Sequence, residues 1–162
     1  MCISKDWVRV GAVLAGLAVM AGAYAAHGLD RQLRPLYGSE QREVAGAMIP
    51  AVQKYVADFK TGAEYQMYHA LGMIAVGLLE KFAPSRRLKT AGWLFLGAIV
   101  IFSGGLYLLV LTGQRWLGAI VPIGGVMSII GWFFLASATG GCVCHPEVTT
   151  AVDEARTVPL DF

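Results

Sequence analysis

The sequence predicts an all-α membrane protein, a four-transmembrane-helix bundle with an amphipathic helix in the first long loop. Three observations carry this. Charged side chains make up only 15% of the 162 residues, against about a quarter in soluble domains. Hydrophobic residues make up 56%, with a mean hydropathy of +0.58. The apolar residues also gather into four runs of spanning length or close to it. This composition excludes a disordered chain, a nucleic-acid binder and an ordinary soluble enzyme, and a net charge of +2 points to no acidic partner. The 20 glycines follow no three-residue period, so collagen is excluded too.

The first span is predicted at 8–28, where residues 10–26 carry no charge. A signal peptide would also begin with basic residues such as Lys5 and Arg9 and end near Ala23-Tyr24-Ala25. However, Gly11, Ala15, Ala18, Gly22 and Ala25 line one helix stripe, which lets two backbones approach closely in lipid. A signal peptide has no need of such a stripe, so the segment is expected to stay. In the loop, residues 41–60 read as an amphipathic helix, with Met48, Val52, Tyr55 and Phe59 at helical spacing, and Pro50 either kinks it or marks the first turn of its second half. It either lies on the membrane surface or packs on the bundle.

The second span is predicted at 62–80, where 65–79 holds Tyr65, Tyr68 and His69 as its ionisable side chains. The third and fourth, 90–113 and 116–139, are separated by Gly113, Gln114 and Arg115, which forces a tight antiparallel hairpin. Residues 142–162 are expected to form a flexible cytoplasmic tail. Four spans put both termini and the loop 81–89 on one side. Lys81, Arg86, Arg87 and Lys89 crowd that short loop, which the positive-inside rule places in the cytoplasm. Both termini are therefore expected on the cytoplasmic side.

A helix rises 1.5 Å per residue, so depths follow directly. His27, Glu64 and Tyr65 fall at the outer boundary, with His69 and Tyr107 roughly 10 Å deeper. Pro122, Gly124 and Gly125 reach a similar depth, so the polar inventory collects in the outer half. Tyr65, Tyr68, His69 and Gly72 share one helix face by spacing. Ionisable groups inside a span are functional candidates by default. His69 would be either a ligand or proton-relay group, or a structural donor that fixes helix register. Pro122 should free the carbonyl near Gly118, for which Ser103 or Tyr107 is a candidate donor. The pairs Gly104-Gly105 and Gly124-Gly125 suit close packing of the last two helices.

No nucleophile and base stand at a recognisable spacing, and no cofactor is implied. His27, His69 and Glu64 resemble a two-histidine, one-carboxylate set. Glu64 and His69 are nevertheless five residues apart and diverge by about 140° around the helix. Cys142, Cys144 and His145, with Cys2, match the donor count of a zinc site. Their Cys-x-Cys spacing argues instead for free thiols, reduced in the cytoplasm.

Four blocks carry a family resemblance. Gly22-Ala23-Tyr24-Ala25-Ala26-His27-Gly28-Leu29 closes the first helix, and Thr61-Gly62-Ala63-Glu64-Tyr65-Gln66-Met67-Tyr68-His69-Ala70-Leu71 opens the second. Phe102-Ser103-Gly104-Gly105-Leu106-Tyr107 and Leu117-Gly118-Ala119-Ile120-Val121-Pro122-Ile123-Gly124-Gly125 follow, then Gly131-Trp132. In this order they resemble the signatures of the YgdD-type family of small membrane proteins. The resemblance implies four membrane helices, in the inner membrane of a bacterium or a mitochondrial membrane in a eukaryote, and no assigned activity. Against the family pattern, Ala25 replaces a glycine, Gly105 a serine and Val121 a threonine, so two hydroxyls are lost.

The function expected is therefore a non-enzymatic binding or assembly-stabilising component of the membrane. Its partners would be the lipid bilayer, another membrane protein, or itself as a homo-oligomer. Alternatives are a small-solute or proton exchange protein acting as an oligomer, and a metal- or haem-binding membrane protein.

Overall fold

The computed structural model describes residues 3–138, so the predicted tail with Cys142, Cys144 and His145 lies outside the described residues, as does Cys2. In chain order the elements are α1 (Ile3–His27), α2 (Leu29–Tyr37), β1 (Gln41–Val44), β2 (Ala47–Pro50) and α3 (Ala51–Phe82). Then come α4 (Arg86–Ala98), a π turn (Ile99–Ser103), α5 (Gly104–Thr112) and α6 (Leu117–Ala138). The stretch α4–π turn–α5 is one continuous helical rod.

Among the described residues, three helices are long and apolar enough to cross a bilayer: Asp6–His27, Arg86–Thr112 and Leu117–Ala138. The segment predicted at 62–80 does not qualify on those grounds. It is the second half of the 32-residue α3, whose first half carries Lys54, Asp58, Lys60 and Glu64. Its uncharged run, 65–79, is shorter than the ~20 residues that span a bilayer unaided.

The amphipathic helix expected over 41–60 is also corrected. Residues 41–50 form an antiparallel hairpin that pairs Gln41 with Pro50 and Val44 with Ala47. Ala45 and Gly46 make its turn with φ of 51° and 82°. Positive φ at both central residues matches the twist of a two-residue hairpin. Of the two roles open to Pro50, the structure has the helix start and not the kink: it stands immediately before α3 with φ −55°, the value a helix start needs. Met48 is exposed on its strand, whereas Val52, Tyr55 and Phe59 are buried.

With Ala25, Leu29, Leu33, Ala51 and Val110, those three residues form one apolar cluster at the end of the bundle that carries α2 and the hairpin. Leu29 and Leu33 are completely buried and sit one turn apart on α2, a helix the sequence reading missed. The loop is thus a cap packed on the bundle's own end. A second cluster, with Trp7, Met73, Val76, Leu88, Phe95 and Leu135, fills the other half.

Small residues decide how closely the helices approach. Gly11 of α1 lies against α3 so tightly that a Cβ there would stand 2.7 Å from the Ala70 carbonyl oxygen. Ala18 and Ala25 are buried on the same face, Ala15 is half-buried, and a Cβ at Gly22 would meet nothing within 4 Å. The stripe is therefore largely consumed inside the chain, and α1 is an integral wall of the bundle. In the hairpin of the last two spans, Gly124 meets Phe102, Gly131 meets Phe95 and Gly105 meets Val121. The neighbours Gly104 and Gly125 have nothing closer than 3.8 and 3.9 Å, so close packing falls to Gly105 and Gly124 alone. Gly113 ends α5 with φ 71°, the left-handed cap that glycine adopts without strain.

One consequence is measurable. A Cβ at Gly124 would lie 2.6 Å from the Phe102 backbone nitrogen, and backbone cannot swing aside as a side chain can. Gly124→Ala should cost about 2 kcal/mol by overpacking. Gly125→Ala should be neutral or slightly stabilising, because alanine favours the helix by roughly 1 kcal/mol. Thermal unfolding in mild detergent compares the two directly, and equal midpoints would refute the register.

Candidate functional site

The geometry offers two places where chemistry could gather, a buried polar layer and an open cleft on the cap. The buried layer centres on Gln66, which the sequence reading passed over. Its amide Nε2 donates to the Leu14 carbonyl at 2.8 Å, and its Oε1 accepts from the Tyr107 hydroxyl at 2.9 Å. One side chain on α3 thus links α1 and α5. The signal was available: an amide inside an apolar helix needs partners, and Gln66 lies in one of the quoted signature blocks.

Tyr107 consequently does not serve the carbonyl near Gly118. It is turned toward α3, where a Cβ on Gly62 would touch its Cε1 at 2.9 Å. Nor does Ser103 take that role, because its fully buried Oγ has no hydrogen-bond partner. Ser103 closes the π turn, a local widening that often marks functional sites in helices. The pairs Gly62–Tyr107 and Gly72–Phe95 fix the antiparallel register of α3 on the rod. They place the π turn opposite residues 65–69.

His69 is buried among aromatic rings. Phe95 stacks on it at 5.7 Å, with Tyr65 at 6.0 Å and Trp132 at 6.4 Å between ring centres. Its Nδ1 makes no hydrogen bond of normal geometry, although the Tyr65 carbonyl one turn back bears on it electrostatically. The face predicted from Tyr65, Tyr68, His69 and Gly72 therefore divides. His69 and Gly72 are buried in the bundle, while Tyr65 and Tyr68 are 40% and 50% exposed. His27 and Glu64 are exposed. Among the described residues no three His, Cys, Asp or Glu side chains converge as metal ligands would. Among the described residues the charged side chain that the bundle does bury is Glu80, 6% exposed near the end of α3, which the sequence reading treated as a helix end.

The cleft is the larger space, about 570 Å³, between α2, the hairpin and the first turns of α3. Asp30, Arg34, Gln53 and Lys60 supply its polar lining, and Val52, Val56, Ala57 and Pro50 its apolar wall. The cap beside it is held by Arg42, which donates to Glu40 at 2.7 Å and to the Tyr55 hydroxyl at 3.1 Å. The Tyr37 and Tyr55 rings meet at a tilt of 57°, with their centres 4.6 Å apart. Burial, then the neighbouring Tyr55 and Glu40, push the Tyr37 phenol above its ordinary range, so it stays a donor at neutral pH.

Two departures from the family pattern meet in space. A Cβ at Gly105 would stand 3.1 Å from Val121 Cγ2. The lost serine and threonine hydroxyls belong to one contact between α5 and α6, and the exchange of both leaves an apolar pair rather than a stranded hydroxyl.

Comparison with known proteins agrees with this architecture. The DUF423 family, described as a protein of unknown function, matches residues 21–125. A UPF0382 membrane protein of Staphylococcus epidermidis is 42% identical over 135 residues, covering 83% of this chain and 95% of the relative. UPF0382 membrane protein YwdK of Bacillus subtilis is 41% identical with the same coverage. A UPF0382 membrane protein of Staphylococcus saprophyticus is 38% identical, with 83% and 97% covered. No solved structure matches the chain. The match runs from the second half of α1 into α6, through the cap, the buried layer and the cleft, and the chain is a small integral membrane protein that belongs to the DUF423 family.

Proposed function

We propose that the chain is a four-span, non-enzymatic protein of the bacterial inner membrane that binds or stabilises a component of that membrane through its outer cleft. The open, mixed polar and apolar cleft carries this reading, since the buried His69 is enclosed by aromatic rings. Four spans follow if α3 crosses with its neighbours. It runs antiparallel to α1, with Gly11 beside Ala70 and Leu14 bonded to Gln66, and its second half lies in the bundle core. The four principal blocks shared with the YgdD-type family all fall within residues 21–125, which supports the same count. The dense basic loop 81–89 then favours cytoplasmic termini under the positive-inside rule. Because the small-residue stripe is occupied within the chain, a homo-oligomer would have to use another face.

The test is mass spectrometry of intact protein purified in mild detergent, with Val56→Trp as the variant. Val56 is half-buried and lines the cleft, so an indole there should fill it without disturbing the core. A bound molecule is expected on the wild-type chain and should be lost from the variant. Solitary wild-type protein would overturn the reading.

A second reading, proton or small-solute exchange by an oligomer, draws on the π turn opposite His69 and the unpaired Ser103 Oγ. Flux in proteoliposomes no greater than in empty vesicles would dismiss it. A metal site held by three or more His, Cys, Asp or Glu ligands would need some from outside the described residues, where Cys142, Cys144 and His145 lie.

A further inference from the structure

Lys60 borders two cavities at once. Above it is the outer cleft; below it is a trough of about 300 Å³ between α1 and α3, lined by Ala18, Gly22, Ala63, Glu64 and Met67. The trough exists because its α1 wall is built of small residues, and a Cβ at Gly22 would meet nothing within 4 Å. From Lys60 to Met67 the helix descends about 10 Å. A cationic rim therefore stands directly over an apolar channel that opens toward lipid.

The cations on that rim are available. Lys54 is bound to Asp58 at 2.8 Å, but Lys60 has no ion pair among the described residues. Arg34 gives its Nε to Asp30 at 2.7 Å, leaving both terminal nitrogens without a protein partner among the described residues. Guanidinium and ammonium groups bind phosphate through short charge-assisted hydrogen bonds. We infer that the cleft and trough together form a glycerophospholipid site, with the phosphate between Lys60 and Arg34 and one acyl chain along Ala18, Gly22, Ala63 and Met67. Asp30 and Glu64 balance the two cations, so the site reads the phosphate and the chain rather than net headgroup charge. Zwitterionic and anionic phospholipids should bind alike, and a diacylglycerol, which lacks the phosphate, should bind weakly. This rests on the proposed binding role of the cleft and names its ligand.

The experiment titrates the full chain in detergent with dioleoyl phosphatidylethanolamine, dioleoyl phosphatidylglycerol and dioleoylglycerol, read by mass spectrometry of the intact complexes. One phospholipid per chain is expected. Lys60→Ala should weaken both phospholipids about tenfold or more, the loss that follows from one charged hydrogen bond. Gly22→Leu should weaken them similarly by filling the trough, and its open surroundings leave the α1–α3 contact intact. Gly16→Leu is the control, since Gly16 also has open surroundings but lines neither cavity. Unchanged binding in Lys60→Ala and Gly22→Leu would overturn the assignment, as would diacylglycerol binding as tightly as phospholipid. If those variants bind normally while Val56→Trp still releases some other molecule, the phospholipid assignment fails and the wider role of the cleft stands. A wild-type chain that binds nothing ends both.

Discussion

Replacing Gly11 with leucine is expected to detach α1 from the bundle. The first added atom would already stand 2.7 Å from the Ala70 carbonyl oxygen and 3.1 Å from the Ile74 nitrogen. Both are backbone of α3, which cannot rotate away, so the helices must separate by an ångström or more. In lipid, helix association depends on such close packing, because burying apolar surface gains nothing over lipid tails. Separation would also stretch the bond from Gln66 to the Leu14 carbonyl, three residues away. Overpacking usually costs 1–3 kcal/mol, and the added loss of an interhelical bond takes the expectation to about 3 kcal/mol or more. That is roughly a hundredfold fall in the folded population. Unfolding in mixed detergent, followed by tryptophan fluorescence, is the measurement. Trp7 is a built-in reporter, buried on α1 against Gly92 and edge-on to Trp93 at 5.2 Å. Gly22→Leu should keep the wild-type midpoint, and if Gly11→Leu kept it too, the α1–α3 register would be wrong.

How much of this was legible in the sequence depended on whether the signal was local. Residues 90–113 and 116–139 match the rod Arg86–Thr112 and α6 closely, because an uncharged run of that length announces itself without tertiary context. The small-residue stripe announced a close contact, but nothing in its spacing said that α3, rather than a second chain, would occupy it. The hairpin at 41–50 was hidden for a different reason. Val52, Tyr55 and Phe59 do lie on a helix, and Met48 extends their period by chance into a strand. The turn itself is Ala45-Gly46, where an Asn-Gly pair would have been the recognisable signal. In the buried layer, attention to ionisable and hydroxyl side chains drew out His69 and Ser103, which are buried, and Tyr107, which is half-buried. It overlooked Gln66, whose amide never titrates yet joins three helices.

That amide sets the second large effect. Gln66→Leu keeps much of the side-chain volume but removes both bonds, leaving the Tyr107 hydroxyl without an acceptor inside the bundle. Interhelical hydrogen bonds in membranes average about 0.6 kcal/mol and reach about 1.7, and a stranded buried hydroxyl adds about 1 kcal/mol or more. The variant should therefore lose roughly 2 kcal/mol, close to thirtyfold in the folding equilibrium. Tyr107→Phe, which leaves Gln66 its bond to Leu14, should lose about half of that. The discriminating measurement is the double-mutant cycle. Once Gln66 is leucine, the Tyr107 hydroxyl has nothing left to donate to and removing it should cost nothing further. The double variant should thus be no less stable than Gln66→Leu alone, even slightly more, because the stranded group is gone. If the two losses simply added, Gln66 and Tyr107 would be acting separately, and the polar layer would not be the lock that holds α1 and α5 to α3.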